Sequence, residues 1–272
     1  MEIRPANARF VDIAPRAPPK LSALPQPLVM RCALTDRQLS RMKPLPPAQL
    51  ATRVGLRLPF APDQVPRSLA YLQTPGARQV VQTATSFGEH WGRSTAESVI
   101  AYKAWPCVQA RALRSQKSFI SALESTASAA LGRPTRLRQK QVGTRPDRSG
   151  AALRFTPPTE IAPHLDMLRR WLQANGKAPA TIRAAVICQC LLCCHPFSDG
   201  NGRTARLVAN AALATAGMSA GCYVPLQELF LLSLGGMEVR SRRVELMGDW
   251  SIWIAWFADL ISLVVRESLE EK

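Results

Sequence analysis

The chain has 272 residues, with 35 Lys and Arg against 19 Asp and Glu, a formal net charge of +16 and a pI near 10.5. That length allows one large domain or a domain with an appendage, and an apolar share of 47% is ample for a core. The charge attracts polyanions (nucleic acid, an anionic membrane surface, an acidic protein or nucleotide) without choosing among them. Met1-Glu2-Ile3-Arg4 opens no basic-then-apolar leader, and the most apolar late stretch, Trp250 to Val265, is broken by Asp259 and is short for a membrane span. Seven cysteines, an odd number, fit a reducing compartment. The expectation is a soluble cytoplasmic protein, acting in its own cell or delivered as an effector into another.

Residues 1–66 hold twelve of the 22 prolines. That density predicts an extended or loosely packed arm, with Thr35-Asp36-Arg37-Gln38 capping one short helix at most. Residues 67–132 read as a helical N-terminal region. Val80, Ala84, Phe87 and Trp91 recur at helical spacing, and Gln82, Thr85 and Glu89 line another face. Ser94-Thr95-Ala96-Glu97 reads as a capping box that starts the next helix, and a further amphipathic segment runs from about Ser118 to Gly132. A basic stretch follows, with Arg133, Arg136, Arg138, Lys140, Arg145 and Arg148. Without aromatic interleaving it is a poor single-strand nucleic-acid surface. Two strands, Val142-Gly143 and Leu153-Arg154-Phe155, joined through Pro146-Asp147-Arg148-Ser149-Gly150, predict a hairpin. Ile161, Leu165, Leu168 and Leu172 mark a helix ending at Asn175-Gly176. The next helix, from about Pro179, carries Cys188, Cys190, Cys193 and Cys194. Four thiols at those offsets point several ways and cannot converge on a tetrahedral zinc, so they are expected to be core residues. Helices near 223–234, 239–246 and 250–263 close the chain, with Trp250, Trp253 and Trp256 at core spacing.

The densest chemistry lies in His195-Pro196-Phe197-Ser198-Asp199-Gly200-Asn201-Gly202-Arg203-Thr204-Ala205-Arg206. Pro196 ends the helix before it, so His195 sits at an element's end. Gly200 and Gly202 let main-chain N–H groups approach an anion closely, and the helical pattern beginning near Asn201 adds a helix N-terminus that favours phosphate. Arg203 and Arg206 share one face of that helix. Their planar forks suit phosphate oxygens, Asp199 is a hard oxygen ligand for Mg²⁺ carried by a nucleotide, and His195 titrates near neutrality as a proton acceptor. Gly200 to Ala205 also fits a dinucleotide fingerprint. That motif needs a preceding strand and an acid about 20 residues on, where Glu228 is the only approximation. Phe197 is expected to anchor the loop.

These twelve residues resemble the signature of the Fic family, H-x-F-x-[D/E]-G-N-G-R-x-x-R, at every defined position. Weaker likeness covers about residues 80–262, including the Gly248-Asp249-Trp250-Ser251-Ile252-Trp253 ending. The resemblance implies an all-α Fic-type core over residues 133–265, with a hairpin flap at about 137–158 that docks a target protein by strand addition. It also implies transfer of AMP from ATP, with Mg²⁺ on Asp199, to a Ser, Thr or Tyr hydroxyl. His195 would be the base, Gly200, Asn201, Gly202, Arg203 and Arg206 would hold the phosphates, and pyrophosphate would leave. Many Fic proteins carry an inhibitory helix, [S/T]-x-x-x-E-[G/N], whose Glu pairs with the signature's second Arg. Thr85-Ser86-Phe87-Gly88-Glu89-His90 is similar to it, with His90 departing from the pattern, and Glu97 is the poorer candidate because the capping box explains it. A Tyr pair that flanks adenine in the family has no counterpart near Gly235-Gly236-Met237, which keeps transfer of UMP, phosphocholine or phosphate, and removal of AMP, open. From another class, a basic nucleic-acid-binding or interaction protein with a vestigial loop would also account for the charge and the prolines.

Overall fold

A computed structural model describes residues 9–12, 16–57, 93–144, 151–233 and 236–269. A short strand, β1 (Arg9–Asp12), precedes helices α1 (Gln26–Leu39), α2 (Pro47–Arg57) and α3 (Arg93–Ile100). A 3₁₀ segment, Ala101–Val108, leads into α4 (Ala110–Leu113) and α5 (Gln116–Leu131). Strand β2 (Ala151–Arg154) separates these from α6 (Pro158–Ala174), α7 (Ala180–Cys194) and α8 (Asn201–Ala214). The chain closes with α9 (Leu226–Leu232), α10 (Gly236–Met247) and α11 (Trp250–Leu269). The expected all-helical core is present.

Helix α7 is the centre of that core. Every residue from Ala180 to Cys194 except Arg183 and Leu192 is buried, as a helix apolar on all sides must be. Its most extensive partner is α8, and α11 and α1 cover other faces. Trp253 of α11 is fully buried and donates its indole N–H to Ala185 O at 2.8 Å. The four clustered cysteines are buried as expected, and burial pushes the Cys188 and Cys194 thiols up to about 12. Among the described residues no three His, Cys, Asp or Glu side chains cluster to hold a metal ion.

The proline-rich N-terminal region departs from the expected loose arm. It forms α1, of 14 residues, and α2, of 11, and Leu28, Cys32, Leu39, Leu50 and Val54 are buried in the common core. Two of the prolines stand where helices tolerate them: Pro27 lies in the first turn of α1, and Pro47 is the first residue of α2. Thr35 and Asp36 lie inside α1 and cap nothing there. Asp36 instead caps α7, accepting from Ala180 N at 2.5 Å, Thr181 N at 3.0 Å and Thr181 Oγ1 at 2.6 Å. Upstream of α1 the chain is pinned by two indoles: Trp171 Nε1 donates to Pro19 O at 2.7 Å and Trp250 Nε1 to Ala17 O at 3.0 Å.

The flap is also built differently from a two-stranded hairpin. Its second leg is a strand, but its first leg makes a single antiparallel bridge, Gly143 with Arg154, supported by Thr144 N to Leu153 O at 2.9 Å and Phe155 N to Val142 O at 3.1 Å. The proposed turn at 146–150 lies outside the described residues. Instead, β2 pairs in parallel with β1, placing Asp12 opposite Arg154.

Candidate active site

Helix α7 ends on His195, whose φ of 49° is the left-handed conformation that a residue with a Cβ adopts only at some cost. A side chain that the sequence reading passed over holds it there. Arg138 is 3% exposed, donates from Nε to His195 O at 2.8 Å and from Nη1 to Lys140 O at 2.8 Å, and donates from Nη2 to Thr156 O. Its backbone N–H adds a bond to Pro196 O at 3.0 Å. One guanidinium thus ties both ends of the flap to the first residues of the loop. No carboxylate pairs with it among the described residues, and burial lowers its pKa against the pull of Cys194.

The imidazole of His195 is partly enclosed. Phe155, the residue after β2, stacks on it with ring centroids 3.9 Å apart and planes 13° from parallel. Its Nδ1 lies 3.3 Å from Leu192 O, and because a carbonyl can only accept, the proton sits on Nδ1 and Nε2 is left to take one. Burial pushes the imidazole below its usual value; the Leu192 carbonyl works against this and the Arg138 charge adds to it. The ring is therefore neutral at neutral pH.

Beyond His195 the loop is stapled by Asn201. Its Oδ1 accepts from Phe197 N at 2.8 Å and its Nδ2 donates to Phe197 O at 2.8 Å, while the Phe197 ring is fully buried. The Asn201 side chain thus braces the loop, and its backbone N–H remains available to an anion. Gly200 caps α8 at φ 78°, where a Cβ would also press on Leu131 at 3.0 Å. The first bond into α8 is Thr204 N to Gly200 O at 2.9 Å, so the N–H groups of Asn201, Gly202 and Arg203 project from the helix end, a geometry suited to an anion. Asp199 accepts from Gly200 N through Oδ1 at 2.6 Å, and its exposed Oδ2 faces Arg133 Nη2 at 3.4 Å and Arg203 Nη2 at 3.9 Å. An exposed carboxylate oxygen held only by two surface guanidinium groups beside a helix N-terminus fits Mg²⁺, which takes one or two carboxylates and otherwise relies on a nucleotide's own oxygens. Arg203 is anchored by Nη1 to Ala130 O at 3.0 Å and lines a cavity of about 300 Å³ with Arg93, Ala96, Glu97, Ile100 and Ala130.

Arg206 does not face this opening freely. Its Nε lies 3.1 Å from both carboxylate oxygens of Glu97, its Nη2 bonds Glu97 Oε1, and both side chains are under a tenth exposed. Tyr223 donates its hydroxyl to Glu97 Oε2 at 2.8 Å. Burial would lower the Arg206 pKa, but the bonds to Glu97 and its charge outweigh this and raise it. Burial, and then the charge of Glu97, raise the Tyr223 hydroxyl well above its usual value. The capping-box reading of Glu97 is therefore corrected. Ser94 donates its N–H, at 3.1 Å, and its hydroxyl to Glu228, which is fully buried in α9, leaving Glu97 for Arg206. Thr85 and Glu89 lie outside the described residues.

The structure thus defines a helical protein with a neutral imidazole beside a helix N-terminus whose first N–H groups are unpaired within the helix. Residues 116–213 match the model of the Fic/DOC family. Similar folds include a Fic family protein from Desulfovibrio desulfuricans G20, at a TM-score of 0.53 and 13% identity, covering 93% of this chain and 76% of that one. They also include a fragment of Fic-1 from C. elegans with one Glu-to-Gly substitution, at a TM-score of 0.50 and 16% identity, covering 89% and 70%. At such identities the likeness is one of fold. No curated protein matches the sequence.

Proposed function

We propose that the chain transfers AMP from ATP to a Ser, Thr or Tyr hydroxyl of a target protein. The observation that carries this reading is the neutral His195, with Nε2 open, on the same loop as the projecting N–H groups of α8. The hydroxyl oxygen forms a bond to the α-phosphorus, the bond from that phosphorus to the bridging oxygen breaks, pyrophosphate leaves, and the proton passes to His195 Nε2. The α8 N–H groups of Asn201, Gly202 and Arg203 bind the phosphate oxygens on which charge develops, and the Arg203 fork neutralises the departing end. Asp199 would hold Mg²⁺, which supplies charge neutralisation on the phosphates when bound.

In this arrangement Glu97 takes the restraining part that the resemblance implies for Glu89. Arg206 is committed to Glu97, and it can reach a distal phosphate only when that pair opens. The reading is supported by the depth of the pair and by Glu228, which seats α3 through Ser94.

The test is incubation with ATP labelled on the α- or the γ-phosphate, beside CTP, GTP and UTP, for wild type, His195→Ala and Glu97→Ala. Label retained from the α-position of ATP, increased by Glu97→Ala and lost in His195→Ala, is expected. Retention from another nucleotide or from the γ-position would redirect the chemistry. Absence of label from every donor, with a steep salt dependence of DNA or RNA binding, would favour a basic binding protein instead.

A further inference from the structure

A cavity of about 250 Å³ opens at the end of the core away from the signature loop. Arg183, in the first turn of α7, lies on its lining, and α8 reaches it through Ala212, near that helix's last residue. His195 and Gly200 stand at the opposite ends of the same two helices. Twelve residues separate Arg183 from His195, about 18 Å along a helix, so a ligand beside Arg183 is out of reach of the base.

Most of the wall is apolar. Val108 of the 3₁₀ segment, Leu113 of α4, Leu172 of α6, Ile187 of α7 and Ala212 of α8 supply it, and Ile187 and Ala212 at its base are fully buried. The mouth lies at Gln173 and Gly176, both exposed. A wall of this kind alone would suit a hydrocarbon.

Arg183 is the only charged side chain on the lining among the described residues. Its Nε donates to Ala178 O at 3.1 Å and its Nη2 to Thr215 Oγ1 at 2.6 Å, which fixes the fork and leaves Nη1 without a partner among the described residues. The nearest opposing charge, on Asp36, is already engaged by three donors at the start of α7 and forms no ion pair with it. Burial lowers the Arg183 pKa, with Asp36 acting against it, yet a guanidinium stays charged at neutral pH. One half-buried fork above an apolar floor matches a single carboxylate on an apolar body. A phosphate would call for further cations, which the lining does not offer. A cavity of roughly 150 Å³ holds benzene, so this one takes a body of about eight carbon atoms.

We propose that this cavity is a binding site for a small carboxylic acid, with its apolar body against Ile187 and Ala212 and its carboxylate on Arg183. The site stands independently of the transfer reading, since none of its residues belongs to the signature loop.

Isothermal titration of the full chain with octanoate, octanamide and octylammonium is the test. Octanoate is expected to bind as a single equivalent, roughly five- to tenfold more tightly than octanamide, the gap between a charged and a neutral hydrogen bond, with octylammonium weakest. Arg183→Gln is expected to erase the preference for the acid, and Arg183→Lys to keep it. Val108→Trp, which fills the cavity from its half-buried wall, is expected to weaken acid and amide together by roughly tenfold or more. Thermal melts identify any variant that fails to fold, and if Val108→Trp does, the two Arg183 variants still decide. No saturable binding of octanoate, equal affinity for acid and amide, or an acid preference retained in Arg183→Gln overturns the proposal. Displacement of octanoate by ATP overturns it too, because the acid would then sit in the cavity beside Arg203.

Discussion

Glu97→Ala separates a regulatory pair from a merely structural one. Glu97 and Arg206 side chains are 4% and 7% exposed, so removing the carboxylate strands a buried guanidinium and takes the acceptor from Tyr223. Breaking a buried pair from one side costs about 3–5 kcal/mol. At 2–4 °C per kcal/mol for a chain of this size, the nucleotide-free variant should melt roughly 6–20 °C below wild type. The same free energy opposes ATP in the wild type, because a distal phosphate must replace Glu97 as the partner of Arg206. Converted at about 1.4 kcal/mol per decade, ATP should bind the variant roughly 10²- to 4 × 10³-fold more tightly. AMP lacks those distal phosphates, so its affinity should stay within about twofold on the same arithmetic. Isothermal titration of both nucleotides into both proteins is the assay. A lowered melting temperature with unchanged ATP affinity, or an equal gain for ATP and AMP, would refute the reasoning and leave the pair structural.

Three further outcomes follow from the geometry. His195 has its pKa depressed below 6.5, so transfer should be flat above that value and fall as pH drops through the lower, folded-state pKa. Stability drawn from the neutral ring is likewise present above the unfolded value and lost below the folded one; a pH–rate profile with its limb above 6.5 contradicts this. Arg138→Lys keeps charge but not the three-carbonyl fork, and kcat should fall about 10²-fold from misplacement of the base while ATP affinity holds; an equal loss in both would deny the positioning role. Asp36→Ala removes the cap of α7 and should cost about 1–2 kcal/mol by urea unfolding, with the slope unchanged.

What could be read from the sequence was what is local. The signature gathers its base, carboxylate, glycines and arginines into twelve adjacent residues, so turn and helix-end chemistry brings them together, although distant side chains then fix the individual groups. Helices α5, α6, α7 and α8 were legible for the same reason, from periodicity bounded by Gly, Pro and Asn. The N-terminal helices were not, because proline density suggests helix breaking while Pro27 and Pro47 stand at helix starts, where a missing N–H costs nothing. Glu97 was misread because Ser94-Thr95-Ala96-Glu97 satisfies a local rule, and only the fold brings in Glu228, 134 positions from Ser94, to take the serine. Arg138 looked like one more member of a basic loop. Nothing local marks it as the side chain that reaches His195 O, 57 positions away. The parallel pairing of β1 with β2 spans more than 140 residues and had no turn to announce it.

The burial of the thiols has a practical consequence. Of seven cysteines six are buried, and Cys222 alone is half-exposed, with its thiol pKa raised by burial but less shielded than the rest. A thiolate-specific reagent should therefore consume one equivalent quickly and the remainder only as fast as the core opens. The unmodified protein carries its own clock for global unfolding, and following the slow phase in Glu97→Ala, Arg138→Lys and Asp36→Ala would rank the three without any introduced probe.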